Sequence, residues 1–313
     1  MKTETVRAAF QAVLFSLSLT LATQAAVTDH AFREVSSTPT KIMSGSPCLF
    51  QVEMLEAPAT LAGTWQGHDL SFAPSSNRRI WYALAGVDVE ALPGTYDLEL
   101  TATFPDGVVR RETKSIVVAR AQFPTERLRV PQRYVAPDAE TRVRIEADKQ
   151  LKQVAFAHQT TSAEWSGSFR PPIQSTVSEG FGTRRTFNGK LASIHRGLDY
   201  HAAPGTPVMA ANSGEVVLAR ELFYEGNCVI IDHGLGFMTL YMHLSRLEVS
   251  EGQRVEQGQQ IGLSGSTGRA TGPHLHVAVR WQGAYLDPAQ LWSLQLPELR
   301  TPALSKASTP APK

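Results

Sequence analysis

The stretch Ile194-His195-Arg196-Gly197-Leu198-Asp199-Tyr200 contains two metal-ligand residue types four positions apart. Further along the chain, Gly272-Pro273-His274-Leu275-His276-Val277 alternates histidine with apolar residues. If this second stretch is a β-strand, its histidines project from one face while leucine and valine enter the other. Two imidazoles and one carboxylate are a common ligand set for catalytic zinc, with the fourth position left for water. We therefore predict a zinc site formed by His195, Asp199 and His276.

Two further histidines accompany these motifs without belonging to the predicted ligand set. In Thr239-Leu240-Tyr241-Met242-His243-Leu244, the same two-residue period predicts that threonine, tyrosine and histidine share one face of a strand. His274 shares a face with His276 in the later stretch. We therefore expect His243 and His274 to lie beside the metal as unliganded imidazoles.

The order of these motifs resembles that of the zinc metallopeptidases of the lysostaphin and LytM type, the M23 peptidases. The shared pattern is His-x-x-x-Asp, then Tyr-x-His-Leu, then Gly-Pro-His-Leu-His, and it extends from about Val177 to Leu291. This combination is highly specific, whereas a lone His-x-His would be a weak signal. The resemblance implies the zinc ligands named above, a catalytic pair made of His243 and His274, and the peptide part of bacterial peptidoglycan as substrate.

The chemistry expected of such a site divides between the metal and the histidines. Zinc polarises the scissile carbonyl and lowers the pKa of bound water toward neutrality. Histidine suits the proton transfers because its pKa lies near working pH. We expect His274 to act as general base and His243 to hold or protonate the tetrahedral intermediate, and the sequence leaves the reverse assignment open. Some family members carry a tyrosine before His-x-x-x-Asp for the oxyanion, but residues 176–194 contain none, so His243 or an upstream arginine would take that role.

Composition and the amino terminus predict an exported protein. Thirty basic residues nearly balance 29 acidic ones, so no strong basic field favours nucleic acid. Residues 1–25 predict a signal peptide, because Lys2 and Arg7 supply positive charge before the mostly apolar run Ala8 to Leu21, and Thr23-Gln24-Ala25 offers a cleavage site. This run is too short and too interrupted to predict a stable membrane span. We expect a periplasmic location, with secretion as the alternative.

Residues 26–121 are expected to form a small all-β domain. Tyr96-Asp97-Leu98-Glu99-Leu100 alternates faces, a Pro105-Asp106-Gly107 turn follows, and a return strand ends in Ile116-Val117-Val118. This pattern is typical of a β-hairpin. Short strands separated by turns favour a β-sandwich that is immunoglobulin-like in the broad sense.

The remaining segments are a connector, a catalytic domain and a tail. Residues 122–165 connect the two halves and include a helix predicted between Asp138 and Gln159. Residues 166–296 have many glycines between short apolar runs, which predicts strands, and the resemblance implies an antiparallel β-sheet domain. Residues 297–313 are rich in Pro, Ala, Ser and Thr and are expected to be disordered. The predicted fold class is therefore mainly β with a short helical connector.

Other residue types support no competing chemistry. Cys48 and Cys228 lie in apolar, strand-like runs, which favours buried free thiols over a disulfide. No serine lies in Gly-x-Ser-x-Gly, which disfavours a serine hydrolase. The absence of lysine between Leu191 and Ser305 excludes a biotinyl or lipoyl carrier, since the cofactor needs a lysine for attachment.

Some polar residues near the motifs keep two interpretations. His233 is interpreted as a turn residue whose side chain fixes its loop, and His201 stays outside the ligand set. Four arginines either contact acidic groups of the substrate or form a solvated rim. They are Arg184, Arg185, Arg269 and Arg280.

Together these features predict a cell-wall endopeptidase that cuts cross-links between stem peptides. The rival hypothesis is a non-hydrolytic regulator that binds the wall or activates an amidase. Degenerate proteins of that kind lose metal ligands, whereas this chain retains every one. A third hypothesis is a latent enzyme whose amino-terminal domain covers the groove until a regulatory partner or substrate displaces it.

Overall fold

Strands predominate in the computed structural model, which describes residues 31–128, 137–158, 160–187 and 190–297. Across these residues the chain forms 22 strands and two helices, and almost all strand pairs are antiparallel. The predicted mainly β fold is confirmed. The predicted signal peptide and residues 298–313 of the predicted tail lie outside the described residues.

The amino-terminal part consists of two sheets that share a core. The first has the order β1-β3-β7-β6, with β1 at Phe32–Thr38, β3 at Pro47–Met54, β6 at Ala73–Pro74 and β7 at Ile80–Gly86. The second has the order β2-β9-β8-β4-β5, with β2 at Ile42–Met43, β4 at Thr60–Trp65, β5 at His68–Ser71, β8 at Gly94–Thr103 and β9 at Val109–Ala119. The rings of Phe50 and Trp65 meet edge to face at 5.2 Å between the sheets. The predicted hairpin is present as β8 and β9, while the immunoglobulin-like topology stays a prediction.

The connector contributes a strand and the predicted helix. Strand β10 (Thr125–Leu128) is followed by helix α1 (Ala139–Ala157), and the Asp138 side chain caps the helix by accepting a hydrogen bond from Thr141 N at 2.8 Å. The helix lies against the hairpin formed by β16 (Gly214–Leu222) and β17 (Gly226–Gly234), where Asp148 Oδ2 accepts a hydrogen bond from Phe223 N at 2.6 Å. Ala155 is buried there beside Leu218 and Leu222. The connector is therefore packed onto the sheet that contains this hairpin, which we call the catalytic sheet because it carries the predicted site residues.

The motif residues lie on or beside a ten-stranded sheet in the second half of the chain. Its main order is β11-β14-β21-β18-β17-β16-β19, with β15, β20 and β22 paired beside it. The strands are β11 at Val177–Glu179, β14 at Leu198–His201, β15 at Pro207–Met209, β16 at Gly214–Leu222, β17 at Gly226–Gly234, β18 at Phe237–Leu247, β19 at Arg254–Val255, β20 at Gln260–Ser264, β21 at His274–Trp281 and β22 at Ala284–Leu286. A small sheet joins β10 to β12 (Arg184–Phe187) and β13 (Lys190–Ile194), and helix α2 spans Pro288–Ser293.

One buried cluster extends through both halves of the chain. It includes Trp65 of the amino-terminal sheets and Leu275 of the catalytic sheet, and residues from Ala31 onward form one compact unit. Gly86 permits close contact with Leu286 across this core, because a Cβ there would collide with the leucine side chain. The predicted domain limits at residues 121, 165 and 296 stay predictions.

Two smaller findings concern the thiols and the helices. Cys48 and Cys228 are both free and buried, and burial raises the pKa of each thiol above its ordinary value. Neither helix in the described part of the chain combines the length and apolar character that a membrane crossing requires.

Candidate metal centre

Strand pairing brings two of the three predicted ligands together. Strand β14 pairs with β21 so that Asp199 lies directly opposite His276, and directly opposed residues project from the same face of a sheet. His195 follows the end of β13 and enters the same space. Gly197 makes this approach sterically possible, because a Cβ would lie 2.6 Å from His276 Nε2 and would also collide with the Val277 carbonyl.

The three candidate ligand atoms converge at one point. Asp199 Oδ1 lies 2.7 Å from His276 Nδ1 and 3.0 Å from His195 Nε2, and the two nitrogens are 3.0 Å apart. His195 Nδ1 lies 2.8 Å from the Gly180 carbonyl oxygen. Since a carbonyl only accepts, Nδ1 of His195 carries the proton and Nε2 presents a lone pair. Two imidazole nitrogens and a carboxylate oxygen in this arrangement fit a divalent cation such as zinc.

The electrostatics of the cluster favour the protonation states that bind a metal. Burial opposes ionisation of Asp199, but the adjacent imidazoles of His195 and His276 hold the pKa of its carboxyl well below the usual range. Burial lowers the pKa of His276 despite the neighbouring carboxylate. At neutral pH, Asp199 is therefore anionic and His276 is biased toward the neutral form, as metal ligation requires.

Arg185 lies behind the carboxylate of Asp199. The sequence had allowed two interpretations of this arginine, a substrate contact or a solvated rim residue. Arg185 Nη2 donates to Asp199 Oδ2 at 3.0 Å, and Arg185 Nε donates to Glu179 Oε1 at 2.8 Å. Its side chain is only 18% exposed, so it is not a solvated rim residue. The neighbouring Arg184 is exposed. No motif in the sequence distinguishes the two, because the difference comes from which face of β12 meets Glu179 and Asp199.

The other two histidines lie beside the cluster. The rings of His243 and His274 are 4.7 Å apart, and the rings of His243 and His276 are 6.2 Å apart. His243 Nδ1 lies 2.9 Å from the Thr267 carbonyl oxygen, and His274 Nδ1 lies 2.8 Å from that of Gly272. Each Nδ1 therefore donates a hydrogen bond, which leaves Nε2 of each ring as an acceptor in the neutral state.

His243 has a strained backbone and a strongly shifted pKa. Its φ is +62°, a left-handed conformation that is uncommon for bulky residues and concentrates at functional sites. Burial, together with the nearby His274 and His276, lowers the pKa of His243 to about 3. The imidazole is consequently neutral over the physiological range.

The expectation that Thr239, Tyr241 and His243 share a face is confirmed for Thr239 and Tyr241, whose hydroxyls are 2.9 Å apart, and is wrong for His243. Tyr241 is fully buried, and its hydroxyl accepts a hydrogen bond from Ala211 N at 2.8 Å. Met242, which lies opposite His276, lines the same cleft as His243. The positive φ at His243 interrupts the alternation of the strand and turns its side chain toward the metal centre.

The cluster opens into a cleft of about 290 Å³. One wall is formed by Lys152 of the connector helix, which pairs with Glu225, and another by Arg196 and Tyr285. Among the described residues, none between 31 and 128 lines this cleft. The amino-terminal part reaches only its edge, where Glu90 pairs with Arg196.

His233 and His201 lie outside the ligand cluster. His233 is at the end of β17 rather than in a turn, and it is fully buried. Its Nδ1 donates to the Ser213 carbonyl at 2.7 Å and its Nε2 lies 2.7 Å from Thr239 Oγ1, so its side chain does fix an adjacent segment. His201 lies opposite His274 in the strand pair and is exposed.

Comparisons with known proteins agree on one family. The model of peptidase family M23 matches residues 193–288. Peptidoglycan DD-endopeptidase ShyA of Vibrio cholerae is 47% identical over 117 residues, which are 36% of this chain and 27% of that protein. DD-carboxypeptidase/endopeptidase Mpg of Neisseria meningitidis serogroup B is 39% identical over 132 residues, which are 42% of this chain and 30% of that protein. The chain thus spans less than a third of the length of either relative.

A solved structure resembles more of the chain. A crystal structure described as that of a candidate peptidase M23 from Pseudomonas aeruginosa has a TM-score of 0.62 and 26% sequence identity. The similarity covers 80% of this chain and 95% of the other. The resemblance therefore extends beyond the catalytic sheet.

Proposed function

Residues 193–288 of this chain form a peptidase family M23 domain, and from this premise we propose that the protein is a zinc-dependent endopeptidase acting on peptidoglycan. The proposed reaction is hydrolysis of the peptide cross-links between stem peptides. The observation that carries the proposal is the convergence of His195, Asp199 and His276 within 3.0 Å of one another, beside two further imidazoles. The relatives named as DD-endopeptidases support a bond between D-amino acids as the target.

The proposed metal ligands are His195 Nε2, Asp199 Oδ1 and His276 Nδ1. When bound there, zinc supplies Lewis acidity to the scissile carbonyl and to the attacking water. Arg185 and the Gly180 carbonyl hold two of these ligands from behind. Pre-oriented ligands of this kind lose little freedom when the metal binds.

The proton transfers are assigned to the two unliganded histidines. His274 is assigned to take a proton from the attacking water and to deliver it to the departing amine nitrogen as the C–N bond breaks. Its Nε2 lies 3.9 Å from Asp199 Oδ1, and its side chain is 16% exposed. His243, held by Thr267 and more deeply buried, faces the same space and hydrogen-bonds the reacting amide. In both rings the backbone carbonyl at Nδ1 fixes the tautomer, so that Nε2 is the atom that faces the reacting groups.

Three cationic side chains line the cleft around the metal centre: Lys152, Arg196 and Arg269. Lys152 pairs with Glu225 and Arg196 with Glu90, so a substrate carboxylate would share these cations with the glutamates. Stem peptides carry free carboxylates, and cationic side chains recognise such groups by charge-assisted hydrogen bonds. Action on this polymer requires export from the cytoplasm, for which the signal peptide predicted at residues 1–25 is the support.

Digestion of purified peptidoglycan tests the proposal. The mature protein is incubated with the polymer as prepared, after chelation, and after zinc is restored, and the muropeptides are separated and identified by mass spectrometry. We expect cross-linked dimers to disappear and uncross-linked products to accumulate. This activity should be lost after chelation and should recover when zinc is restored. Unchanged cross-linking by protein that contains stoichiometric zinc would refute hydrolysis and favour the non-hydrolytic regulator.

A further inference from the structure

Arg185 forms a bridge between two carboxylates at the rear of the metal centre. Its Nη2 donates to Asp199 Oδ2 at 3.0 Å, and its Nε donates to Glu179 Oε1 at 2.8 Å. A second contact joins Nη2 to Glu179 Oε2. All three side chains are less than one fifth exposed. The guanidinium thus has a two-point contact with Glu179 and a single contact with Asp199.

This bridge separates the roles of the two oxygens of Asp199. Oδ2 accepts from Arg185, while Oδ1 faces His195 and His276. A carboxylate can bind a metal through one oxygen or through both. A hydrogen bond to one oxygen favours metal binding through the other oxygen alone. A ligand restricted to one oxygen leaves more of the coordination sphere for water and substrate.

A residue from the connector also faces this bridge. Strand β10 runs parallel to β12, with Glu126 directly opposite Arg185. Partial desolvation and the neighbouring Glu179 raise the pKa of Glu126. The bridge and its surroundings are therefore built by β10, β11, β12 and β14. Three of the four residues, Glu126, Glu179 and Arg185, precede the segment 193–288 that matches the family.

We propose that Arg185 is a positioning residue that holds Asp199 as a one-oxygen metal ligand, with Glu179 fixing the guanidinium. The inference rests on the proposed metal site but not on any particular substrate. It gives Arg185 a different role from the substrate contact or solvated rim residue that the sequence allowed.

Charge and positioning predict opposite changes in zinc affinity when Arg185 is removed. A cation next to the site repels a divalent metal, so its loss should tighten zinc binding if charge were all that mattered. Positioning predicts weaker binding, because Asp199 would lose its fixed orientation. Loss of a hydrogen-bonding group behind a metal ligand typically weakens metal binding by about 10–100-fold. The sign of the change therefore separates the two roles.

The test measures zinc affinity of the full chain by competition with a chromophoric chelator. We expect Arg185→Met to raise the zinc Kd by about 10–100-fold and Arg185→Lys, which keeps the charge without the two-point contact, to raise it by a smaller factor. Arg184→Met is the matched control, because Arg184 is the exposed neighbour in the same strand, and its Kd should equal that of the wild type. Zinc binding equal to or tighter than wild type in Arg185→Met would overturn the proposal.

The visible absorption of the cobalt-substituted protein gives a second readout that does not depend on activity. We expect Arg185→Met to lower the band intensity, because a second Asp199 oxygen would raise the coordination number, while Arg184→Met keeps the wild-type spectrum. If Arg185→Met does not fold, Arg185→Lys decides the matter, since it keeps the charge but removes the two-point contact. A several-fold rise in zinc Kd for Arg185→Lys supports positioning, and an unchanged Kd refutes it. A wild type that binds no zinc would instead refute the proposed metal site itself.

Discussion

The imidazole rings of His243 and His274 face each other with their centroids 4.7 Å apart, and neither ring belongs to the cluster of three ligand atoms. Each ring donates its Nδ1 proton to a backbone carbonyl, His243 to Thr267 and His274 to Gly272. Two imidazoles are thus held in defined orientations, with a proton on Nδ1 of each, beside a site that can bind a cation. This arrangement supports the proposal that one set of side chains binds the metal and the other set moves protons.

The first prediction follows from that separation. His276→Ala should abolish zinc retention, because it removes one of three ligands. His243→Ala and His274→Ala should retain zinc while activity falls by about 10²–10⁴-fold, the usual contribution of general acid–base catalysis. Metal analysis after gel filtration and muropeptide release measure the two properties. Equal loss of zinc from all three variants would contradict this division of roles.

The second prediction concerns Gly197. A methyl group at this position would collide with the Val277 carbonyl and lie 2.6 Å from His276 Nε2. Gly197→Ala should therefore destabilise the fold by roughly 1–3 kcal/mol and weaken zinc binding, since β14 must shift away from β21. Urea unfolding and zinc titration measure both effects. Gly94→Ala adds the same methyl where the nearest atom is 3.8 Å away, and it should leave zinc binding intact.

The third prediction concerns the wall of the cleft that the connector helix supplies. Lys152 pairs with Glu225, whose side chain is only 12% exposed, and the Glu225 carbonyl accepts the backbone N–H of His243 at 2.8 Å. Lys152→Met leaves a carboxylate without its cation, which should cost roughly 1–3 kcal/mol. We also expect lower activity, because the Glu225 segment supports the strained backbone of His243.

Lys149→Met is the control for this helix. Lys149 forms an exposed pair with Glu146 at 3.5 Å, and such pairs contribute at most about 1 kcal/mol. Chemical unfolding of both variants and their rates of muropeptide release provide the comparison. Equal effects of the two substitutions would show that the connector helix has no specific role at the cleft.

The fourth prediction is a loss of stability in acid caused by His233. Burial lowers the pKa of His233 to about 4 from an ordinary value of 6.5. Above pH 6.5 the residue is neutral in both states and adds no pH dependence. As the pH falls from 6.5 to 4, the unfolded chain binds a proton that the folded chain excludes, so stability should fall by about 3 kcal/mol.

Urea unfolding of metal-free protein between pH 4 and pH 8 measures this effect. His233→Gln should be less stable at pH 7.5, because it disrupts the hydrogen bonds to Ser213 and Thr239, yet its stability should fall less steeply below pH 6.5. His201→Gln, at an exposed position, is the matched control. If the stability of His233→Gln falls with decreasing pH as steeply as that of the wild type, the acid sensitivity must come from other groups.

Local patterns were sufficient for several features of the fold. The alternation in Tyr96 to Leu100 and the Pro105-Asp106-Gly107 turn predicted the hairpin of β8 and β9, which is present. The alternation of His274 to Val277 likewise predicted part of β21. Side-chain periods of two residues and turn residues act over a few positions, so a single sequence contains this information.

The sequence by itself determined the residue types of the candidate site and the strands that present most of them, because residue type and strand period are local properties of the chain. Only the tertiary structure decided the rest. The left-handed backbone at His243 breaks the period that predicted its neighbours, and Arg185 rather than Arg184 lies behind Asp199 because of the face that β12 turns toward β14. Lys152 reaches the cleft because helix α1 packs on the hairpin of β16 and β17. These relationships depend on contacts between segments far apart in the chain, whose geometry is set by packing of the whole core.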